Sequence, residues 1–220
     1  MTSCCFRLLP ALLLFPSVLM AQLDEVLTQR SIVISWKSPT RWSLNTTLEQ
    51  RSLISPDFEG LHIQAAQFIS YEVGFYSQVG VGVMYRELFD SDLPEELRFT
   101  EQYVYTRKYN SLKVAHRARW DQRVRDDRLT HRWRYRLSAS VPLNGESTDE
   151  QEYYLTGNVE TLLIAEAGTS PGYDQRFSIG LGRQFSSKIK MQVMAEYRIE
   201  DFTASSERLL FFNLGAFYKL

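Results

Sequence analysis

LKVAHRARWDQRVRDDRLTHRWRYRLSASV, residues 112–141, decides the fold. From Leu129 to Val141 every second residue is apolar or aromatic apart from one histidine: Leu129, His131, Trp133, Tyr135, Leu137, Ala139 and Val141. Between them stand Thr130, Arg132, Arg134, Arg136, Ser138 and Ser140. Successive side chains of a strand point to opposite faces, so these two sets cover the two sides of one strand. The preceding run repeats the pattern. Leu112, Val114, His116, Ala118 and Trp120 share one face, and Lys113, Arg117, Arg119, Asp121 and Arg123 share the other. A turn centred on Asp126-Asp127 makes the two runs a hairpin in which Trp120 opposes Trp133, Arg117 opposes Arg136 and Arg119 opposes Arg134. Like charges directly opposite destabilise a sheet. Acids on neighbouring strands, or water, must therefore surround the arginines. A charged interior under an apolar, aromatic-rimmed exterior is the pattern of a transmembrane β-barrel.

Outward from this hairpin the alternation continues. Residues 41–51 set Trp42, Leu44, Thr46 and Leu48 against Ser43, Asn45, Thr47, Glu49 and Arg51. Residues 61–74 set Ile63, Ala65, Ile69, Tyr71 and Val73 against Gln64, Phe68, Ser70 and Glu72. In 79–87, Val79, Val81, Val83 and Tyr85 oppose Gly80, Gly82, Met84 and Arg86, small inward residues that let a strand bend. Further strands are expected at 152–165, 175–184, 188–199 and 208–220, with Leu210, Phe212, Leu214, Ala216, Tyr218 and Leu220 on one face of the last. Residues 97–108 are ambiguous. A two- or four-residue turn near Tyr109-Asn110 sends Phe99, Tyr103, Tyr105 and Glu101 outward, whereas a three-residue turn brings Glu101 inward against Arg117. A charge on a lipid face costs up to a few kcal/mol, acids less than bases, which favours Glu101 inward, paired with the arginines.

Length and charge narrow the classes further. The chain has 220 residues, enough for one domain, and 25 basic against 26 acidic side chains. That balance gives no bulk attraction to nucleic acid. Residues 1–21 have the form of a secretory signal peptide, with Arg7 before an apolar run and cleavage expected after Ala21. Cys4 and Cys5 both fall inside it, so the mature chain has no disulfide, thiolate metal site or cysteine nucleophile. Past the N-terminus no apolar run is long enough for a spanning helix.

Trp42-Ser43-Leu44, Glu101-Gln102-Tyr103, His116-Arg117-Ala118-Arg119 with Gln122-Arg123, Arg132-Trp133-Arg134-Tyr135-Arg136-Leu137 and Asn158-Val159-Glu160 together resemble a bacterial family. It is the family called domain of unknown function twenty-four-ninety, and the resemblance covers most of the mature chain. It implies a small outer-membrane β-barrel and no established activity. Where that family carries an acid-x-arginine pair, this chain has Glu101 and Tyr103.

The candidate functional feature is a lumen charge cluster: Arg117, Arg119, Arg132, Arg134 and Arg136 with Glu101, Asp121 and Glu160, and Arg123 beside them. Guanidinium groups bind phosphate and carboxylate oxygens bidentately, so the cluster can be an anion site. It can equally be a structural plug, neutralised by Glu49, Glu72, Glu101, Asp121, Glu160 and Glu196, because side chains largely fill a narrow barrel. Trp120 and Trp133 are read as an aromatic girdle. His62, His116 and His131 do not converge as metal ligands need to. A lipid hydrolase would need an outward serine, histidine and acid near one rim; neither Ser140 nor Ser178 is placed beside His131 or His116. Gly80-Val81-Gly82 lacks the helix that a phosphate loop requires.

The expectation is an all-β chain. A signal peptide (1–21) precedes an N-terminal segment (22–40) with a short edge strand at 31–36, and a single antiparallel transmembrane barrel (41–220) follows, of about ten strands or alternatively twelve. The expected place is the bacterial outer membrane. The expected partners are its lipid, the assembly machinery that reads an apolar C-terminal strand, and a small anionic solute, without nucleic acid or cofactor. The expected role is a non-catalytic scaffold, with a narrow pore or binding barrel for anions as the alternative. A soluble lipocalin-like barrel would carry the same alternation with the faces inverted, aromatics inside and arginines in water.

Overall fold

The computed structural model describes residues 23–54, 58–90 and 94–220. The expected signal peptide and the loop residues Pro56 and Asp57 lie outside them. The described residues form one closed barrel of eleven strands: β1 (Glu25–Lys37), β2 (Trp42–Leu53), β3 (Glu59–Glu72), β4 (Ser77–Leu88), β5 (Glu96–Tyr109), β6 (Leu112–Arg125), β7 (Arg128–Pro142), β8 (Tyr153–Glu166), β9 (Gly172–Gln184), β10 (Ile189–Glu200) and β11 (Glu207–Lys219). No helix of the described residues is long and apolar enough to cross a membrane.

The central hairpin has the register its alternation dictates. Trp120 pairs with Trp133, Arg117 with Arg136 and Arg119 with Arg134. Asp126 (φ 46°) and Asp127 make the two-residue turn, a positive φ that matches the right-handed twist of the flanking strands. The tryptophan rings stack 6.3 Å apart at 4°. Around the barrel the apolar set faces out. Ile32, Leu48, Val81, Phe99, Tyr135, Ile179 and Val193 are all exposed there. Arg98, Asp121, Arg132, Glu160, Glu196 and Arg198 are buried on the inner face. The inverted, lipocalin-like arrangement is therefore not adopted.

The strand count differs from the expectation. The segment 31–36 is the middle of a full wall strand, not a short edge strand ahead of the barrel. β1 pairs with β2 on one side and closes the sheet by running parallel to β11, from Glu25↔Leu209 to Ser35↔Lys219. The count is eleven, neither ten nor twelve, and the sheet is mixed. Residues 25–30 (EVLTQR), ahead of the short edge strand expected at 31–36, carry polar side chains that break an apolar pattern but are at home on an inner face lined with charge. Leu27, only 3% exposed, fixes this end of β1 by packing on Leu209 and Phe211, with Leu53 and Leu61 beside them. Closing the sheet also removes two edges of unpaired N–H and C=O groups, which an open β2 and β11 would present.

Inner-face glycines have a different use from strand bending. A Cβ on Gly82 would overlap the Phe68 ring, and one on Gly182 the Tyr154 ring. Tyr154 thus lies flat across β9 and donates its hydroxyl to Gln192 of β10 at 2.9 Å.

An odd count places the two chain ends at opposite ends of the barrel. Leu220 lies beside the connections 38–41, 73–76, 110–111, 143–152 and 185–188, short except for 143–152. Asp24 lies at the other end, with the connections 54–58, 89–95, 126–127, 167–171 and 201–206, longer except for the central turn. The first is called the short-turn end and the second the long-loop end. Cysteines introduced as D24C and L220C, in protein made without residues 1–21 and reconstituted in sealed vesicles, will be reached by an impermeant maleimide from opposite sides. Labelling of both from one side would require an even strand number.

Candidate lumen charge site

The inner face of β4 to β8 gathers the arginines around three buried carboxylates. Glu96, fully buried at the first position of β5, is the hub of four: Arg98, Arg123 (2.7 Å), Arg125 (2.5 Å) and, more distantly, Arg86 (3.6 Å). Asp121, also fully buried, meets Arg134 at 2.5 Å and accepts the Thr100 hydroxyl at 2.8 Å. Glu160 on β8 takes Arg117 at 2.9 Å, Arg136, and Arg134 at 3.6 Å. The opposed Arg117 and Arg136 thus share Glu160, and in the opposed pair Arg119–Arg134 only Arg134 meets carboxylates, Asp121 and Glu160.

Glu101 does not join them. β5 and β6 are joined by a two-residue turn, Asn110 (φ 51°) and Ser111, with Tyr109 opposite Leu112. That parity puts Arg98, Thr100 and Gln102 inside and Glu101 outside, opposite Trp120. A one-residue change of turn length flips every side chain of a strand, so the three-residue turn was the wrong choice. The acid that meets this part of the ladder is Glu96, one residue before the 97–108 strand expected from the sequence. Of the other acids expected to neutralise the ladder, Glu72 pairs with Lys37 at 2.7 Å, Glu49 accepts from Gln64 at 2.8 Å, and Glu196 binds Arg198 at 2.5 Å.

Nine arginines of the inner face of β4 to β7 (Arg86, Arg98, Arg117, Arg119, Arg123, Arg125, Arg132, Arg134 and Arg136) therefore stand around three carboxylates. Two of the nine have no carboxylate within 4.0 Å among the described residues. Arg119 donates to Gln102 at 2.8 Å and lies 4.9 Å over the Phe68 ring. Arg132 is 7% exposed, and its Nε has no partner. The charges that act on it most are those of Arg134, Arg98, Arg123 and Arg176.

The far wall is more acidic. Arg176 lies 3.4 Å from Asp174 and 3.6 Å from Glu200, while Arg198 is shared by Glu196 and Glu200. Arg51 and Arg198 sandwich the buried Phe211 ring at 4.9 and 3.6 Å. Between the walls lies a cavity of about 810 Å³, running from Ser170 and Ser205 at the long-loop end to Gln192 and Phe217. Side chains do not fill this lumen. A barrel's width grows with strand number, and the eleventh strand enlarges it beyond the ten-strand expectation.

The remaining candidates lie elsewhere. Trp120 and Trp133 are on the outer face with His131 beside both, its ring 5.7 and 5.9 Å from theirs. His116 is also outside, 2.7 Å from the Tyr135 hydroxyl. His62 is buried on the inner face. Ser178 points inward and receives a hydrogen bond from Asn158 at 2.9 Å, and Ser140 shares the inward parity of β7, so neither serine meets an outer histidine. Among the described residues no group of histidine, cysteine and acidic side chains could hold a metal ion.

Glu96→Gln will destabilise the barrel by about 3–5 kcal/mol, because it strips the charge on which buried arginines converge. Urea unfolding of the reconstituted protein measures this. A change below about 1 kcal/mol would mean that the hub does not hold the wall.

A family described as "Protein of unknown function (DUF2490)" matches residues 29–208, and the chain belongs to it. No curated protein matches the sequence. A solved structure described as a bacterial polysaccharide outer membrane secretin matches with a TM-score of 0.51 and 10% sequence identity, covering 80% of this chain and 74% of that one. At such identity the likeness is one of fold.

Proposed function

We propose that this member of the DUF2490 family is a non-catalytic outer-membrane β-barrel, a rigid scaffold cross-braced by ion pairs inside its lumen. The observation that carries this reading is the division of the wall. Large apolar side chains are exposed on the outer faces of all eleven strands, from Ile32 and Ile34 on β1 to Phe212 and Leu214 on β11, while most strand charges, with exceptions such as Arg30 and Glu101, are inside. In water such a belt would expose far more contiguous apolar surface than a soluble monomer carries; in lipid it is the required solvent-facing surface. The fold likeness to an outer-membrane secretin supports the same place. The apolar strand β11, ending at Leu220, is the segment offered to the assembly machinery, with the short-turn end toward the periplasm. A signal peptide at 1–21 would deliver the chain there.

A second reading, a narrow pore or binding barrel for small anions, is favoured by the cavity and its unmatched arginines. Planar-bilayer recording of the chain without residues 1–21 separates the two. Steady anion-selective current, less selective in Arg119→Gln, is the outcome for a pore. Silence from protein whose folding is proven by a heat-dependent gel shift is the outcome for the scaffold.

Glu101 tests the membrane placement itself. It stands on the outer face between Val81 and Trp120, with no ion pair among the described residues. In lipid, Glu101→Leu raises the urea midpoint of the reconstituted barrel by removing an unmatched carboxyl from an apolar medium. A lower midpoint, together with good solubility of the wild type in plain buffer, would sink the membrane reading.

A further inference from the structure

The arginines of the lumen are too many for their carboxylates, and the surplus is concentrated in one place. Glu96 alone serves Arg86, Arg98, Arg123 and Arg125. Arg132 is on the adjoining strand, paired in register with Asp121, yet Asp121 gives its ion pair to Arg134. More than nine-tenths buried, Arg132 keeps an unpartnered Nε in a group of like charges. Buried cations of folded proteins are paired or hydrogen-bonded, because the desolvation they suffer has to be offset. Arg98, Arg123, Arg132, Arg134 and Arg176 all line the same cavity.

We propose that this cluster, centred on Arg132 with Arg98, Arg123 and Arg134 around it, is a binding site for a compact, multiply charged oxyanion of phosphate type. The proposal deepens the reading of a lumen that admits small anions. Guanidinium forks match the tetrahedral oxygens of phosphate, and Nε is one of the two donors such a fork uses. More than one positive charge is unmatched, so a dianion suits the site better than a monoanion. The cavity reaches Ser170 and Ser205 at the long-loop end, and its volume falls in the range of small-molecule sites. Because Arg132 faces the lumen, a headgroup phosphate in the surrounding lipid cannot reach it; the source is a free solute. Asp174, Glu196 and Glu200 on the opposite wall repel a long polyanion laid across the lumen, which restricts the site to a compact one.

The test uses the chain without residues 1–21, refolded in detergent, with the heat-dependent gel shift as proof of folding. Inorganic phosphate is titrated at constant ionic strength, with citrate and chloride as comparisons, by calorimetry and by the thermal midpoint. Saturable phosphate binding that raises the midpoint is expected. Arg132→Gln is expected to lose about tenfold or more in affinity. Without phosphate, this variant should unfold no earlier than the wild type, because it removes an unmatched buried charge. Arg30→Gln, on the outer face, leaves phosphate binding unchanged. Phosphate binding that is absent, or equal in Arg132→Gln, overturns the site. So does a preference for citrate over phosphate, or an Arg132→Gln barrel that unfolds earlier in phosphate-free buffer, since either a different anion or a purely structural arginine would then be present. Bilayer silence leaves this result standing, and conduction without phosphate binding at Arg132 refutes the site while leaving the pore.

Discussion

Two pairs of arginines face each other directly across β6 and β7, and the rest of the barrel has to accommodate them. Arg117 opposes Arg136 and Arg119 opposes Arg134, an arrangement that repels. It persists because Asp121 from β6 itself meets Arg134 and Glu160 from β8 meets Arg117, Arg134 and Arg136, while Glu96 from the start of β5 holds the neighbouring Arg98 and Arg123. Each reaches the arginines only in the observed registers. Glu160 sits beside Arg136, and Thr100 beside Asp121, so a shift of one residue in β5 or β8 would move the acid to the outer face. The ion pairs therefore specify pairing as much as they stabilise it. Their net worth against an apolar core is small or negative, but breaking one leaves a buried charge uncompensated.

The same constraint explains why so much of the fold can be read from the chain. Alternation of charge and grease is strongest in β6, β7 and β10, and there both the facing and the hairpin partners follow from counting residues. What could not be read depends on parity set elsewhere. β5 is amphipathic in a mixed way, with Glu101 among Phe99, Tyr103 and Tyr105 on one face and Glu96, Arg98 and Gln102 on the other. Its orientation rests on the length of the turn at Asn110-Ser111, which fixes the parity of the whole strand. Glu96 lay hidden for a related reason: it follows an acidic loop, and nothing local separates the last loop residue from the first strand residue. β1 failed to stand out because its inner face carries Gln29 and Ser31, polar side chains that suit the lumen but break an apolar pattern. Phe211 went unnoticed because 209–212 (LLFF) is apolar on both faces, and only the folded barrel shows that Arg51 and Arg198 cover its ring.

Parallel closure has structural consequences beyond the count. Hydrogen bonding between β1 and β11 is as continuous as in the antiparallel pairs, extending over most of both strands. The apolar group of Leu27, Leu209 and Phe211 sits on this seam, so the junction that joins the two ends of the chain is also the only place among the described residues where buried apolar side chains cluster inside. The cross-section divides accordingly: grease and a stacked ring at the seam, ion pairs on β4 to β8, and free volume between. An all-antiparallel barrel of ten strands would lack that wall and bring the ladder closer to Glu196 and Arg198.

The surplus of arginine is the feature that a purely structural account leaves over. A wall built only for rigidity gains nothing from Arg132, since a buried guanidinium without a carboxylate costs more in lost hydration than its packing returns, and an apolar or amide side chain of similar length would fill the space better. Water can solvate some of it, because the cavity is open enough to hold water. Glu96 and Asp121 offset part of the mutual repulsion of Arg98, Arg123, Arg132 and Arg134, and water screens part of the rest, but Arg132 itself has no carboxylate within 4.0 Å among the described residues. Of the acids that line the same cavity, Asp174 and Glu196 are paired with Arg176 and Arg198, Glu200 lies near both arginines, Glu49 accepts from Gln64 and Glu166 accepts from Thr130. That surplus is the observation on which the proposed phosphate site rests, and the fold leaves a cavity of about 810 Å³ beside it.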